Sequence, residues 1–159
     1  MKYASYDIVF QEVPDEVTLA INISNCPNHC KGCHSPHLQE DKGNTLDENA
    51  IDLLLAKYGD AITCVCFMGG DADPKVVESF SCYVRKSAQL KTAWYSGRQQ
   101  LPEHGNVTNF DYIKLGPYVE SLGGLDAPGT NQRFYRIENG MLNDQSARFR
   151  KQPVISPLT

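Results

Sequence analysis

The chain has 159 residues, with 15 Lys and Arg against 19 Asp and Glu, and a formal charge of −4. At this length one domain buries roughly 70% of its unfolded surface in a single core, so neither disulfides nor a structural metal is required for it to fold. Ordinary glycine and proline usage excludes collagen-like and low-complexity chains, and an acidic balance without a Lys/Arg block excludes a general nucleic-acid binder.

Ser5 and Asp7 interrupt the first ten residues before an apolar run of secretory length develops. The longest nearly apolar stretch, Ala61 to Gly70, is about half of a membrane-spanning helix. A cytoplasmic protein without membrane contact is expected, and its six cysteines are then expected to stay reduced, as metal ligands, catalytic thiols or core residues. Val17 to Ser24 alternates apolar and polar residues and predicts a strand that runs into a cysteine-rich loop. Thr45 and Glu48 have the spacing of a capping box, and Ile51, Leu54, Leu55 and Tyr58 repeat at helical period up to Gly59. Ile62 to Met68 is a nearly continuous apolar run, the pattern of a strand buried on both faces, and it ends at Gly69 and Gly70.

Asp73 and Pro74 predict the start of a second helix, with Val76, Val77, Phe80, Tyr83 and Val84 on one face. Leu90 to Tyr95 and Asp111 to Leu115 predict two more strands, separated by a segment with room for at most a short helix. Arg133 to Ile137 followed by Asn139 and Gly140 predicts a hairpin. Strands alternating with helices imply right-handed βαβ units. Four parallel strands cannot close an eight-stranded barrel, so the expected fold is α/β: an incomplete TIM-like β/α barrel with a mostly parallel sheet. It occupies residues 1–159 as one domain with a core from about 6 to 137. Residues 144–159, with the basic patch Arg148 to Lys151, are expected to form a loose, solvated tail.

Cys26, Cys30 and Cys33 have a C-x3-C-x2-C spacing directly after the first predicted strand. Three thiols within eight residues of a polar loop suit a soft metal centre, because short spacings let one loop aim successive sulfurs inward. A closed Cys3His zinc site completed by His29, His34 or His37 is one solution. A four-iron cluster held by three thiolates, which leaves one iron open to substrate, is another. A third is an electron-transfer cluster with a fourth thiolate from Cys64, Cys66 or Cys82, although these three read more easily as core thiols. Gly69, Gly70 and Asp71 close the second strand, and paired glycines let a ligand approach the backbone. In an α/β sheet this turn and the cysteine loop open at the same end of the strands.

Together with Ala93 to Gly97, Asp111 to Tyr118 and Gly129 to Arg133, these motifs resemble the radical S-adenosylmethionine (SAM) superfamily. Within it they resemble the small glycyl-radical-enzyme activases that serve the anaerobic ribonucleoside-triphosphate reductase, over most of the chain from about Tyr6 to Ile137. The resemblance implies a 4Fe-4S cluster on Cys26, Cys30 and Cys33, with SAM on the fourth iron. It also implies cofactor contacts from Gly69, Gly70, Asp71, Ser96 and Lys114. The implied activity is reductive cleavage of SAM to a 5′-deoxyadenosyl radical, which makes a glycyl radical on the large reductase subunit. The implied electron donor is a flavodoxin-like protein. Another small radical SAM enzyme or glycyl-radical activase is the alternative within the superfamily; a Cys3His zinc-binding interaction module is the alternative outside it.

Overall fold

The computed structural model describes residues 1–150. Among them, eight strands form one sheet: β1 (Lys2–Val9), β2 (Thr18–Ile23), β3 (Asn44–Thr45), β4 (Cys64–Met68), β5 (Lys91–Tyr95), β6 (Tyr112–Leu115), β7 (Arg133–Glu138) and β8 (Met141–Asp144). Two α-helices, α1 (Glu48–Tyr58) and α2 (Pro74–Ser87), pack on it. The strand order is β3-β1-β2-β4-β5-β6-β7-β8.

This corrects the expected mostly parallel partial barrel. β2, β4, β5 and β6 run parallel, but β1 on β2, β3 on β1, β7 on β6 and β8 on β7 are antiparallel, so four of the seven pairings are antiparallel and the sheet is mixed. Parallel neighbours need long crossovers, whereas antiparallel neighbours need only a turn. The Asn139–Gly140 turn, with φ of 52° and 75°, supplies such a connection between β7 and β8. β5 reaches β6 without an α-helix, through a segment whose one regular element is the 3-10 turn Val107–Asn109.

β1 carries no clean alternation because a bulge between Tyr3 and Ser5 shifts its phase, so Tyr3, Tyr6 and Ile8 all pack on the same core. The helix start is also shifted from the expected capping box. Asp47 is the N-cap of α1, accepting from the Ala50 N–H at 2.8 Å, while Thr45 lies in β3. Leu46 and Ile51, at the positions of a hydrophobic staple, are both buried. α2 begins as expected, with Asp73 accepting from the Val76 N–H and Pro74 in its first turn.

Strand alternation splits the core in two. Leu19, Ile21, Ile23, Val65, Phe67, Trp94, Ile113 and Leu115 face the helices and meet Ile51, Leu54, Val77, Phe80 and Val84. On the opposite face Cys64, Cys66, Ala93, Tyr112 and Phe134 are covered by Val13, Leu125 and Phe149, which come from segments outside the strands and α-helices. Burial pushes the Cys64 and Cys66 thiols well above their ordinary range, so both stay protonated and act as small apolar side chains. The third cysteine outside the loop, Cys82, is on α2 with Sγ 3.0 Å from Asn109 Oδ1.

The described part of the expected loose tail is packed instead. Ser146–Phe149 forms a 3-10 turn, Phe149 lies 4.9 Å from the Phe134 ring centroid, and Arg148 makes two hydrogen bonds to the Asp15 carboxylate. Residues 151–159 lie outside the described residues. No helix among the described residues is long and apolar enough to cross a membrane.

Candidate three-cysteine site

β2 hands over to the cysteine loop at Asn25, whose φ of 61° turns the chain out of the sheet, a conformation that asparagine tolerates better than most residues. Two backbone bonds tie the loop's ends together, from the Asn25 N–H to the Glu40 carbonyl and from the Cys26 N–H to the Leu38 carbonyl, both 3.0 Å. The loop interior is held by the Cys33 N–H on the Cys30 carbonyl and passes through left-handed conformations at His29 and Gly32. Two donors approach its sulfurs. The Ser35 N–H is 3.4 Å from Cys33 Sγ, and Asn28 Nδ2 is 3.6 Å from Cys26 Sγ. Such donors offset negative charge on a thiolate.

Cys26, Cys30 and Cys33 line a single cavity of about 300 Å³ at the C-terminal ends of the parallel strands. Its floor is a row that the strand register builds. Asn22 pairs with Met68, Met68 with Tyr95 and Tyr95 with Lys114, so one residue from each of β2, β4, β5 and β6 stands in line. All four line the cavity, as do Gly69 and Tyr118. Lys114 is only 9% exposed, and its ammonium donates to the Gly116 carbonyl at 2.7 Å. Burial lowers its pKa to about 8, against the opposing pull of Asp71 and Cys30, so at neutral pH it still carries a positive charge beside the thiols.

Of the residues the sequence singled out, the structure therefore gathers Cys26, Cys30, Cys33, Gly69 and Lys114 around one space. Gly70, Asp71 and Ser96 do not line it. Asp71 is 1% exposed, and its carboxylate is engaged by donors of the chain itself, among them the Ser96 hydroxyl. The Gly69 carbonyl accepts from Trp94 Nε1 at 2.8 Å. Asn22, Met68, Tyr95 and Tyr118 are lining residues that the sequence reading passed over. Three of them alternate correctly along predicted strands, but only the register between strands brings them into one row.

His29 Nδ1 lies 3.3 Å from Gln39 Oε1, and His34 stands edge-on to the Tyr118 ring with centroids 4.9 Å apart. Among the described residues no group of three or more His, Cys, Asp or Glu is arranged to hold a metal ion. The thiols form a cavity wall rather than a closed coordination shell. As a donor set, three thiols with N–H groups near two of them suit a soft centre that needs further ligands from outside the chain.

Gly70, after β4, and Gly59, at the end of α1, differ in the room they leave for a side chain. Gly70 has φ of 85°, and a Cβ there would lie 2.4 Å from Cγ2 of the fully buried Val77. Gly70→Ala is therefore expected to lower stability by about 2–4 kcal/mol, from left-handed strain plus overpacking. Gly59→Ala, at φ −55° with nothing within 4 Å of the added carbon, is expected to be neutral or slightly stabilising. Denaturant midpoints of the two variants test this contrast.

No protein-family model, curated protein or solved structure matches the chain.

Proposed function

We propose that this chain is a radical SAM activase that holds a 4Fe-4S cluster on Cys26, Cys30 and Cys33 and installs a glycyl radical on the anaerobic ribonucleoside-triphosphate reductase. The observation that carries the reading is the convergence of the three thiols of the C-x3-C-x2-C loop on one cavity, together with the strand-end residues Gly69 and Lys114. Bound there and reduced by a flavodoxin-like donor, such a cluster would supply the one electron needed to cleave SAM to methionine and a 5′-deoxyadenosyl radical, the species that would take a hydrogen atom from the partner's glycine.

The chain's own residues have separable tasks. Cys26, Cys30 and Cys33, which line the cavity, would hold the group as thiolates. The buried Lys114 ammonium favours an anionic group, such as a methionine carboxylate, against that wall. Ile23, Leu38 and Met68 add apolar surface that keeps water and stray hydrogen donors from a reactive intermediate. The choice of partner rests on the later sequence blocks; another small radical SAM enzyme or glycyl-radical activase is the alternative.

The test is anaerobic loading with iron and sulfide, followed by incubation with SAM, dithionite and the reductase. The expected result is a brown protein, 5′-deoxyadenosine, and a glycyl radical on the reductase seen by electron paramagnetic resonance. A colourless protein with one tightly held zinc and no SAM cleavage would overturn the reading in favour of a zinc-binding module. SAM cleavage without a radical on the reductase would overturn the partner alone.

A further inference from the structure

Asp71 does not line the cavity, and the donors around its carboxylate come from two segments of the rim, the cysteine loop and residues 96–98 after β5. Oδ2 accepts from Asn28 Nδ2 at 2.6 Å and from the Gly97 N–H at 2.8 Å, and Oδ1 accepts from the Ser96 hydroxyl at 2.6 Å. Arg98 donates from Nη2 to the Asp71 carbonyl at 2.7 Å and holds Nε 4.0 Å from Oδ1. The Arg98 carbonyl in turn accepts from the Gly116 N–H at 2.7 Å, which extends the connection to the end of β6. Asn28 is the one contact from the cysteine loop, between Cys26 and Cys30, and its amide nitrogen also approaches Cys26 Sγ.

The close approach is sterically built. A Cβ on Gly97 would fall 2.4 Å from Asn28 Nδ2 and 3.3 Å from Asp71 Oδ2, so the absence of a side chain at position 97 is what lets the loop reach the carboxylate. We propose that Asp71 is a positioning residue that clamps the three-thiol loop to the ends of β4 and β5 through Asn28. It thereby sets where the thiols stand before any cofactor arrives. The role differs from a direct ligand contact, because the carboxylate oxygens are occupied by donors of the chain and the group is buried. What the loop is positioned to hold rests on the proposed function; the clamp itself does not.

The experiment uses the full chain, metal-free and reduced under anaerobic conditions, with pulse alkylation by iodoacetamide and mass-spectrometric rates for each cysteine. Asn28→Ala and Asp71→Ala are expected to speed modification of Cys26, Cys30 and Cys33 by about threefold or more, while Cys64 and Cys66 stay protected. Asp71→Asn is expected to remain near the parent rates. Its carboxamide oxygen can still accept from Asn28 and Gly97, and its nitrogen can donate to the Ser96 hydroxyl. After loading with iron and sulfide, Asn28→Ala is expected to hold iron about tenfold more weakly and to show an altered resonance line shape.

Parent rates at the three loop thiols in Asn28→Ala would overturn the clamp and leave Asp71 a stabiliser of the β5 turn. If Asp71→Ala exposes Cys64 and Cys66 as well, that variant has lost its fold. Asn28→Ala, which leaves Ser96 and Gly97 on the carboxylate, then decides alone. A parent chain that takes up no iron would instead overturn the proposed function, and the alkylation rates of the metal-free protein would still judge the clamp.

Discussion

Cys30→Ala is expected to retain no 4Fe-4S cluster after anaerobic loading and to produce no 5′-deoxyadenosine from SAM, whereas Cys82→Ala loads and reacts as the parent does. The contrast follows from placement. Cys30 stands with Cys26 and Cys33 on the cavity wall, while Cys82 is on α2 with its thiol near the Asn109 side chain. On the proposed ligand set the three thiolates have none to spare, so removing one would leave a second iron without a protein ligand. Activity is expected to fall to the background of the reductant alone rather than by a modest factor. Iron and sulfide per chain, the visible absorption of the loaded protein and 5′-deoxyadenosine by chromatography measure it. Iron retained by Cys30→Ala, or lost from Cys82→Ala, would show that the ligand set is wrong. Cys64 and Cys66 are poor substitutes, since burial keeps their thiols protonated within the sheet.

Where one local rule suffices, the elements were legible in the sequence. β4 sits within the Ile62 to Met68 run because both of its faces are buried, and α2 starts at Asp73 and Pro74 because the cap and the fixed proline φ act within four residues. β1 was not legible, since the bulge near Ala4 breaks the period of two that marks a strand. The mixed sheet was missed for a related reason. A parallel centre reads from alternating strands and helices, but a strand that flanks that centre, such as β1 or β7, declares its direction only through its partners.

The site divides in the same way. The cysteine spacing is local, and the structure does bring those three thiols to one cavity. Asp71 was legible as a rim residue but not in its orientation. Its contact with Asn28 joins positions 43 residues apart, and no pattern along the chain encodes that approach. The floor row Asn22, Met68, Tyr95 and Lys114 required the register of three strand pairs at once.

At the other end of the strands a second buried carboxylate supports the fold. Glu16 is 6% exposed and accepts from Lys91 Nζ at 2.5 Å, Thr63 Oγ1 at 2.6 Å and the Tyr112 hydroxyl at 2.7 Å, so it joins the starts of β4, β5 and β6. Burial pushes its pKa up, but the hydrogen bonds from Lys91, Thr63 and Tyr112 and the Lys91 charge outweigh burial and hold the group below the ordinary 4.5. Glu16→Ala is expected to cost about 2–3 kcal/mol. It strands the buried Tyr112 hydroxyl, while the half-exposed Lys91 ammonium turns to water. A carboxylate with a lowered folded pKa contributes stability that is fully present above 4.5 and is lost as pH falls through the folded value. The thermal midpoint of the parent should therefore drop more steeply than that of Glu16→Gln as pH falls below 4.5, and the two curves should converge at the acid end. Parallel curves would mean that Glu16 binds its proton equally well in the folded and unfolded chains, and that its three donors contribute no net preference for the charged form.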